Sequence, residues 1–248
     1  MKVVASVQVR MGSTRLPGKV MEVVLGRPLL GHLLDRMRLC SYLDDIVVAT
    51  PDSTENDVIQ EFCSSENIAC FRGSEDDVLN RTLGALRSQG ADIGVEVFGD
   101  CPLIDPLIVD NIICYFIKNP GYDFVGNDLV TTYPPGMEVE VFSVDALADS
   151  DRRVADETIR EHGTLFIRQH PEIYKIINLD APEKFHRPEM ELEIDTIEDL
   201  EVIRIILGHF SGRIDYGLEE IIEFLDSNQT ISRINRDVPR RWKTARDH

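Results

Sequence analysis

A run of strand-forming residues that ends in a loop rich in glycine and cations constrains the fold of this chain most. It spans residues 3–19 and reads VVASVQVRMGSTRLPGK. A short apolar run of this kind is typical of a central parallel strand that leads into a phosphate-binding loop. Gly12 and Gly18 let the backbone approach an anion, and the hydroxyls of Ser13 and Thr14 are further donors. The stretch therefore predicts an α/β fold with an anion site after its first strand.

Three cations of this loop, Arg10, Arg15 and Lys19, contrast with a chain whose formal net charge is −18. Local positive charge on such an acidic background favours a polyphosphate ligand. The spacing matches neither the P-loop pattern GxxxxGK[ST] nor the dinucleotide pattern GxGxxG. From spacing alone, the alternative is a surface turn whose cations are only solvated.

Composition and cysteine usage exclude several classes of protein. The 44 acidic residues outnumber the 26 basic ones, which argues against a nucleic-acid partner because phosphate contacts need a basic face. The five cysteines are scattered without a CxxC pair, which predicts reduced thiols rather than a disulfide framework or a zinc site. No apolar run is long enough to cross a bilayer, and the N-terminus lacks a signal-peptide layout. We therefore expect a cytoplasmic protein without a membrane or nucleic-acid partner.

Strands and helices alternate along the first half of the chain. Apolar runs at residues 46–50, 69–71 and 93–98 predict strands. Helical periodicity at residues 29–40, 56–64 and 107–118 predicts helices between and after them. This alternation predicts a parallel sheet covered by helices, in which ligands bind at the carboxyl ends of the strands. A length of 248 residues suits one large domain, with or without an appended arm.

Two later loops also follow predicted strands and should lie near the first loop. The segment RGSEDD, residues 72–77, has a purely structural alternative as a helix start capped by Ser74. The segment GDCPLIDP, residues 99–106, contains two aspartates. Asp105 precedes Pro106 and suits the cap of the next helix. Asp100 is then free to hold a divalent cation beside a triphosphate.

The second half of the chain begins with extended structure and ends with helices. Alternation over residues 137–141, after a Pro-Pro-Gly turn, predicts a half-buried strand. A long helix is predicted over residues 156–170. In LEIDTIEDLE, residues 192–201, Thr196 and Asp199 match a capping box, and Asp195 is expected to end a strand. Residues after 233 are polar and basic, which predicts a surface tail or a contact with a partner subunit.

These motifs together resemble those of the nucleotidyltransferases that make CMP-sugars, the CMP-KDO and acylneuraminate cytidylyltransferases. The resemblance rests on VQVRMGSTRLPGKVMEVVLGRPLL, FRGSEDDVLNR, GDCPLIDP, an REH element at residues 160–162 and DTIEDLE where the family has DTPEDLE. It covers roughly residues 1–202 and is strongest with the branch named after the spore-coat polysaccharide protein SpsF. It implies a Rossmann-like three-layer α/β/α fold with a mixed, mainly parallel sheet. Residues 1–232 would form one domain, with a small dimerisation and acceptor-side arm at about residues 126–180 and a tail at residues 233–248.

The resemblance also implies an activity and a set of site residues. The activity is transfer of CMP from CTP to a sugar or sugar-acid acceptor with release of pyrophosphate, by a Mg²⁺-dependent homodimer that serves surface polysaccharide synthesis. Catalysis is assigned to Arg10, Lys19 and Asp100, and the metal to Asp100 and Asp195. The nucleotide-binding residues would be Val7, Gln8, Val9, Arg10, Met11, Gly12, Ser13, Arg15, Lys19, Arg72, Gly73, Ser74, Asp77, Arg81 and Gly99. The substrate-binding residues would be Glu96, Tyr133, Glu138, Glu140, Glu161, His162 and Glu191.

Two acidic residues, Glu96 and Glu191, stand where chains of this branch usually carry arginine. If they face the site, a polyhydroxy or amine-bearing acceptor suits it better than the usual anionic ulosonate. Strand positions alternate faces, so both can also point away. Glu138 and Glu140 are equally consistent with a solvent-facing position, and His162 with a structural role. Two functional alternatives stay open: a nucleotidyltransferase with another nucleotide or a phosphorylated acceptor, and a non-catalytic nucleotide- or sugar-binding protein.

Overall fold

A seven-stranded mixed sheet forms the centre of the computed structural model, which describes residues 1–240. The strands are β1 (Val3–Gln8), β2 (Val23–Val24), β3 (Arg27–Pro28), β4 (Asp45–Pro51), β5 (Ala69–Gly73), β6 (Ile93–Phe98), β7 (Phe124–Gly126), β8 (Glu140–Ser143) and β9 (Ile176–Asn178). The helices are α1 (Leu29–Met37), α2 (Asp57–Ser65), α3 (Val78–Ser88), α4 (Pro106–Lys118), α5 (Val144–Arg153), α6 (Glu157–Arg160), α7 (Leu165–Gln169), α8 (Ile197–His209), α9 (Leu218–Ser227) and α10 (Gln229–Ser232).

The strand order places the N-terminal strand in the middle of the sheet. The order is β5-β4-β1-β6-β8-β7-β9, and β2 and β3 pair separately. The four strands β5, β4, β1 and β6 run parallel, whereas β8 is antiparallel to both β6 and β7. The α/β class with a mixed, mainly parallel sheet is thereby confirmed.

Helices cover both faces of the sheet because residues of the central strand alternate between two cores. Val3, Ala5 and Val7 of β1 join a core with α1, α4, α8 and α9. Val4 points the other way, into a core with α3, α5 and α7. All four valine and alanine side chains are at most 3% exposed. Burial on both faces explains why β1 reads as a nearly continuous apolar run.

Helix starts follow the predicted capping chemistry in two of three cases. Asp105 caps α4 by accepting from the amide of Leu107 at 2.8 Å. Thr196 and Asp199 form the predicted capping box of α8. The third expectation is wrong: Asp77, rather than Ser74, caps α3. Asp77 accepts from the Asn80 amide, and the Ser74 hydroxyl instead accepts from the Asp77 amide, at 3.0 and 3.1 Å.

Three predicted elements of the second half differ from the structure. The helix expected over residues 156–170 is two short helices, α6 and α7, since the chain breaks at Gly163. The strand expected over residues 137–141 starts only at Glu140, and Glu140 is buried rather than facing solvent. Asp195 does not end a strand; the segment before it is joined to the loop after β6 by the Ile194 amide, which donates to the Asp100 carbonyl at 2.9 Å.

The beginning of the C-terminal tail packs on its own chain. Asn235 and Arg240 are 3% and 5% exposed. The Arg240 guanidinium donates to both carboxylate oxygens of Asp199, at 2.6 and 2.9 Å. Asn235 and Arg240 thus attach residues 233–240 to the same chain, while the remaining predicted tail, residues 241–248, lies outside the described part. Within the described residues, no helix combines the length and apolar character that a membrane span requires.

Candidate active site

A cavity of about 660 Å³ opens at the carboxyl ends of β1 and β6. The chain proceeds from β1 to β4 on one side of the sheet and reaches β6 on the other. A ligand crevice is expected where the direction of strand order reverses in this way. Gly99 is needed here, because a side chain at this position would meet the Val9 side chain at 2.2 Å and the Gln8 carbonyl at 2.8 Å. The tight approach of the two strand ends forms the floor of the cavity.

One end of the cavity, here called the loop end, comprises Arg10, Arg15 and Lys19 with Asp100 and Asp195. The Lys19 ammonium lies 2.8 Å from Asp100 and 3.1 Å from Asp195. Arg15 contacts Asp195 at 2.5 Å. Burial opposes the charge of Lys19, but Asp100 and Asp195 outweigh it, so that its pKa is raised. Lys19 is therefore a fixed cation that joins the loop after β1 to the loop after β6.

The position of Asp195 is set by α8. The backbone amide of Asp195 donates to the Asp199 carboxylate at 3.0 Å. Asp199 is fully buried and also accepts from the Thr196 amide and from Arg240. The capping box that starts α8 thus also holds the segment that carries Asp195.

Two more carboxylates lie behind the loop end without lining the cavity. Burial, and then the charges of Asp100 and Glu138, raise the pKa of Glu193 to about 9. Burial raises the pKa of Glu138 to about 7, against the hydrogen bond from the Gly136 amide. Among residues 1–240, no three histidine, cysteine or acidic side chains are arranged to hold a metal ion. Of the acidic residues in the described part of the chain, Asp100 and Asp195 both line the cavity and contact the Lys19 ammonium.

The opposite end, here called the sheet end, comprises Glu96, Glu140 and Arg168, which line the cavity, and Asp128, which is not part of the lining. Glu96 and Glu140 are directly opposed across β6 and β8, and Asp128 follows β7. The Arg168 guanidinium contacts Asp128 at 2.9 Å and Glu140 at 2.7 Å. Thr164 also donates to Glu140. Three buried carboxylates therefore lie near one guanidinium, which directly contacts two of them, Asp128 and Glu140.

Burial dominates the titration of groups at the sheet end. It raises the pKa of Glu96 to about 7, although Arg81 and Arg168 act in the opposite direction. Burial, followed by the charge of Asp128, raises the pKa of Glu140 well above its ordinary value. Burial lowers the pKa of His162, which keeps its imidazole neutral more readily. The acidic residue at position 96 faces the cavity, which resolves the orientation left open by the sequence.

Many of the sequence-predicted site residues meet in this cavity, and others do not. Those that line it are Gln8, Val9, Arg10, Ser13, Arg15, Lys19, Arg81, Gly99, Asp100 and Asp195, with Glu96, Glu140, Glu161 and His162. Those outside its lining are Val7, Met11, Gly12, Arg72, Gly73, Ser74 and Asp77, with Tyr133, Glu138 and Glu191. The assigned roles of both groups stay predictions.

The residues outside the lining have identifiable surroundings. Val7 belongs to the core. The Arg72 guanidinium donates to the side chains of Asp57 and Gln60 and to the Ser53 carbonyl. Glu191 lies near Arg240 in the tail region, at 3.6 Å. Glu191 therefore does not face the cavity, unlike Glu96.

The sequence interpretation did not find Asp128, Thr164 and Arg168. Asp128 follows the short strand β7, and its place after a strand is the signal that could have found it. Thr164 and Arg168 lie beyond the break at Gly163. Their approach to β8 depends on the packing of α7, for which the sequence offers no local signal.

Comparisons with known proteins agree on one family. A family model described as Cytidylyltransferase matches residues 4–231. The spore coat polysaccharide biosynthesis protein SpsF of Bacillus subtilis is 34% identical over 228 residues, which are 90% of this chain and 93% of that protein. An 8-amino-3,8-dideoxy-manno-octulosonate cytidylyltransferase of Shewanella frigidimarina is 34% identical over 122 residues, 49% of this chain and 50% of the other. The solved structure of a cytidylyltransferase from Leptospira borgpetersenii has a TM-score of 0.89 and 30% identity, covering 97% of this chain and 99% of its own.

Proposed function

The chain belongs to the cytidylyltransferase family, and we propose that it transfers CMP from CTP to a hydroxyl of a sugar or sugar-acid acceptor, releasing pyrophosphate. The observation that carries this proposal is the Lys19 ammonium between Asp100 and Asp195 at the carboxyl ends of the central strands. A nucleotide triphosphate needs fixed cations at such a strand edge, and this cavity provides them. Its volume of about 660 Å³ lies within the roughly 300–1,000 Å³ of small-molecule sites.

The proposed chemistry is an in-line displacement at the α-phosphorus, in which positioning and charge compensation supply most of the catalysis. Arg10, Arg15 and Lys19 would neutralise the triphosphate and the leaving pyrophosphate. Lys19 suits this role because its contacts fix it before a ligand arrives, so little reorganisation is needed. Arg10 differs, since its side chain is 53% exposed and its only described ion pair is with Glu75 at 3.6 Å. It is free to turn towards a ligand.

Asp100 and Asp195 fit a Mg²⁺ ion in number and in chemistry. Mg²⁺ is usually held by one or two carboxylates together with phosphate oxygens and water. The shared contact of both carboxylates with one ammonium shows that they already converge on a cation. When bound, Mg²⁺ would offset phosphate charge and polarise the phosphoryl group. We propose these two residues as its protein ligands.

The remaining features of the proposal rest on the family. SpsF is named for spore-coat polysaccharide synthesis, which supports a role in making a surface-polysaccharide precursor. We propose a cytoplasmic homodimer in which residues 1–232 form one catalytic domain and residues 126–180 form an acceptor-side arm. The described residues support the acceptor side of that arm, because Glu140, His162 and Arg168 line the cavity.

The test is pyrophosphate release from each of the four nucleoside triphosphates with Mg²⁺ and a panel of sugars and sugar acids. Release should require CTP, and Asp100→Asn should lower it by about 10²- to 10³-fold. Asp226→Asn is the matched control, because Asp226 is 58% exposed and remote from the cavity lining. Preference for another triphosphate would overturn the cytidylyl assignment. CTP binding without release under any condition would instead support a non-catalytic binding protein.

A further inference from the structure

Glu96 is a buried carboxylate that faces the cavity without a partner. Its side chain lies at 2% residue exposure and lines the sheet end. Within residues 1–240 it makes no hydrogen bond and no ion pair. Removing a carboxylate from water without pairing it is strongly unfavourable. The unpaired Glu96 carboxylate therefore indicates a binding position for a ligand group that can donate hydrogen bonds to it.

The cations nearest to Glu96 are engaged elsewhere. Arg168 contacts Asp128 and Glu140. Arg81 donates through Nη1 to the carbonyls of Ser74 and Glu75, and through Nε to the Gln8 side chain. Both guanidiniums act on Glu96 only through space. Neither guanidinium makes a hydrogen bond or ion pair with Glu96.

The other side of the Glu96 carboxylate is closed by backbone. A side chain at Gly163 would meet the two Glu96 carboxylate oxygens at 2.5 and 2.7 Å. The bend between α6 and α7 thus packs directly on this carboxylate and keeps it at the cavity wall. An acidic side chain is held at a fixed place, and its open direction is the cavity.

A second carboxylate with an unsatisfied oxygen, that of Asp128, adds further negative charge at the sheet end. The Oδ1 atom of Asp128 is buried without a hydrogen-bond partner among the described residues. Glu140, directly across the sheet from Glu96, is already bonded to Thr164 and Arg168. Three carboxylates against one guanidinium would repel an anionic group and attract a cationic one.

We propose that the acceptor carries a primary amine and that its ammonium group binds at Glu96. This inference rests on the proposed cytidylyl transfer and specifies its acceptor as an amino sugar or amino sugar acid. An ammonium brings one positive charge and three donors, which matches the unpaired Glu96 carboxylate beside the Glu140 carboxylate, which also lines the cavity. The amine binds, and a separate hydroxyl attacks the phosphorus.

The experiment compares acceptors that differ only in one group. Each scaffold, an octulosonate, a nonulosonate and a hexose, is offered as the amine, the hydroxyl and the N-acetyl form. The octulosonate pair is 8-amino-3,8-dideoxy-manno-octulosonate and 3-deoxy-manno-octulosonate. Pyrophosphate release gives kcat/KM for each, and calorimetry in the presence of CTP gives each affinity. On at least one scaffold, the amine should exceed both other forms by about 10- to 100-fold, the range of a charge-assisted hydrogen bond.

Glu96→Gln should abolish this preference, because it removes the charge and keeps the shape. Glu219→Gln is the control: Glu219 is 59% exposed in a surface pair with Lys184 and does not line the cavity, so its variant should keep the preference. The inference is overturned if no amine exceeds its hydroxyl counterpart, or if Glu96→Gln retains the preference. Transfer from CTP to hydroxyl forms alone would overturn it while leaving the proposed function intact. An amine preference in binding without any turnover would support the inference about Glu96 and overturn the proposed transferase function.

Discussion

The loop end and the sheet end of the cavity hold similar numbers of charged groups but differ in how those charges are paired. At the loop end, Lys19 and Arg15 share Asp100 and Asp195 in short contacts. At the sheet end, Arg168 satisfies Glu140 and one oxygen of Asp128, while Glu96 has no contact partner within the described chain. At the loop end both carboxylates are paired with cations, whereas the sheet end has an excess of negative charge.

This difference predicts different responses to ligands. A phosphate at the loop end must compete with Asp100 and Asp195 for the cations, so binding there exchanges one set of ion pairs for another. A cation at the sheet end displaces nothing and supplies a missing contact. The loop end is therefore organised before binding, whereas the sheet end is completed by it.

The largest effect should come from removing the cation of the sheet end. Arg168→Met leaves Glu140 and Asp128, which are 1% and 3% exposed, without their guanidinium. We expect the free energy of unfolding to fall by about 3–5 kcal/mol at neutral pH. Urea denaturation measures it, with Arg152→Met as control, since Arg152 is 64% exposed in its surface pair. Equal stability of the two variants would contradict the described pairing.

The next effect concerns catalysis at the loop end. Lys19→Met removes the cation that Asp100 and Asp195 share, and kcat for pyrophosphate release should fall by about 10²- to 10³-fold. Lys2→Met, which alters the surface pair with Asp45 before the start of β1, should leave kcat unchanged. An equal kcat for Lys19→Met and wild type would show that the ion pairs of the loop end have only a structural role.

The third effect is a pH dependence of the free energy of unfolding that distinguishes the unpaired Glu96 from the paired carboxylates. It should be similar in size to the second effect or smaller. The folded-state pKa of Glu96 is about 7, against an ordinary 4.5, so the folded state binds this proton more tightly than the unfolded state. The stability that its protonation contributes is present below pH 4.5 and is lost as the pH rises through 7. Relative to Glu96→Gln, wild type should lose about 3 kcal/mol over that range. Urea denaturation at pH 5 and at pH 8 measures this difference. Parallel stability profiles would refute it.

The smallest effect is expected at the rim of the loop end. Arg10 pairs with Glu75 at 3.6 Å on an exposed surface. Arg10→Gln should change the free energy of unfolding by less than about 1 kcal/mol and weaken CTP binding about fivefold. Calorimetry at low and high salt measures the binding change, which should shrink as salt screens the charge. A loss of CTP affinity as large as that measured for Lys19→Met would mean that the Arg10 side chain is held in place as firmly as that of Lys19.

The sequence predicted the fold and the arrangement of the loop end because both follow from local patterns. Apolar runs identify parallel strands, and parallel strands bring their carboxyl ends to one edge. The meeting of Lys19 with Asp100 depends on this rule, and the capping box at Thr196 explains how α8 presents Asp195. Each of these features is encoded within a few neighbouring residues.

The sheet end was predicted only in part because it depends on long-range packing. Helical periodicity over residues 156–170 concealed the break at Gly163, where the backbone lies so close to Glu96 that a side chain would collide with its carboxylate. Without that break, Arg168 has no reason to approach Asp128, which precedes it by forty residues. The sequence indicated an anomalous acid at Glu96, but the missing partner became visible only in three dimensions.

The contact between Arg240 and Asp199 has a consequence for the order of events during protein synthesis. Asp199 holds the backbone of Asp195 and is itself held by Arg240, which follows it by 41 residues. At about 5–20 residues per second, the ribosome needs roughly 2–8 s to translate that interval. During this time the nascent chain already contains every strand of the sheet but lacks the guanidinium that secures α8. The loop end of the cavity should therefore be among the last parts of the molecule to mature.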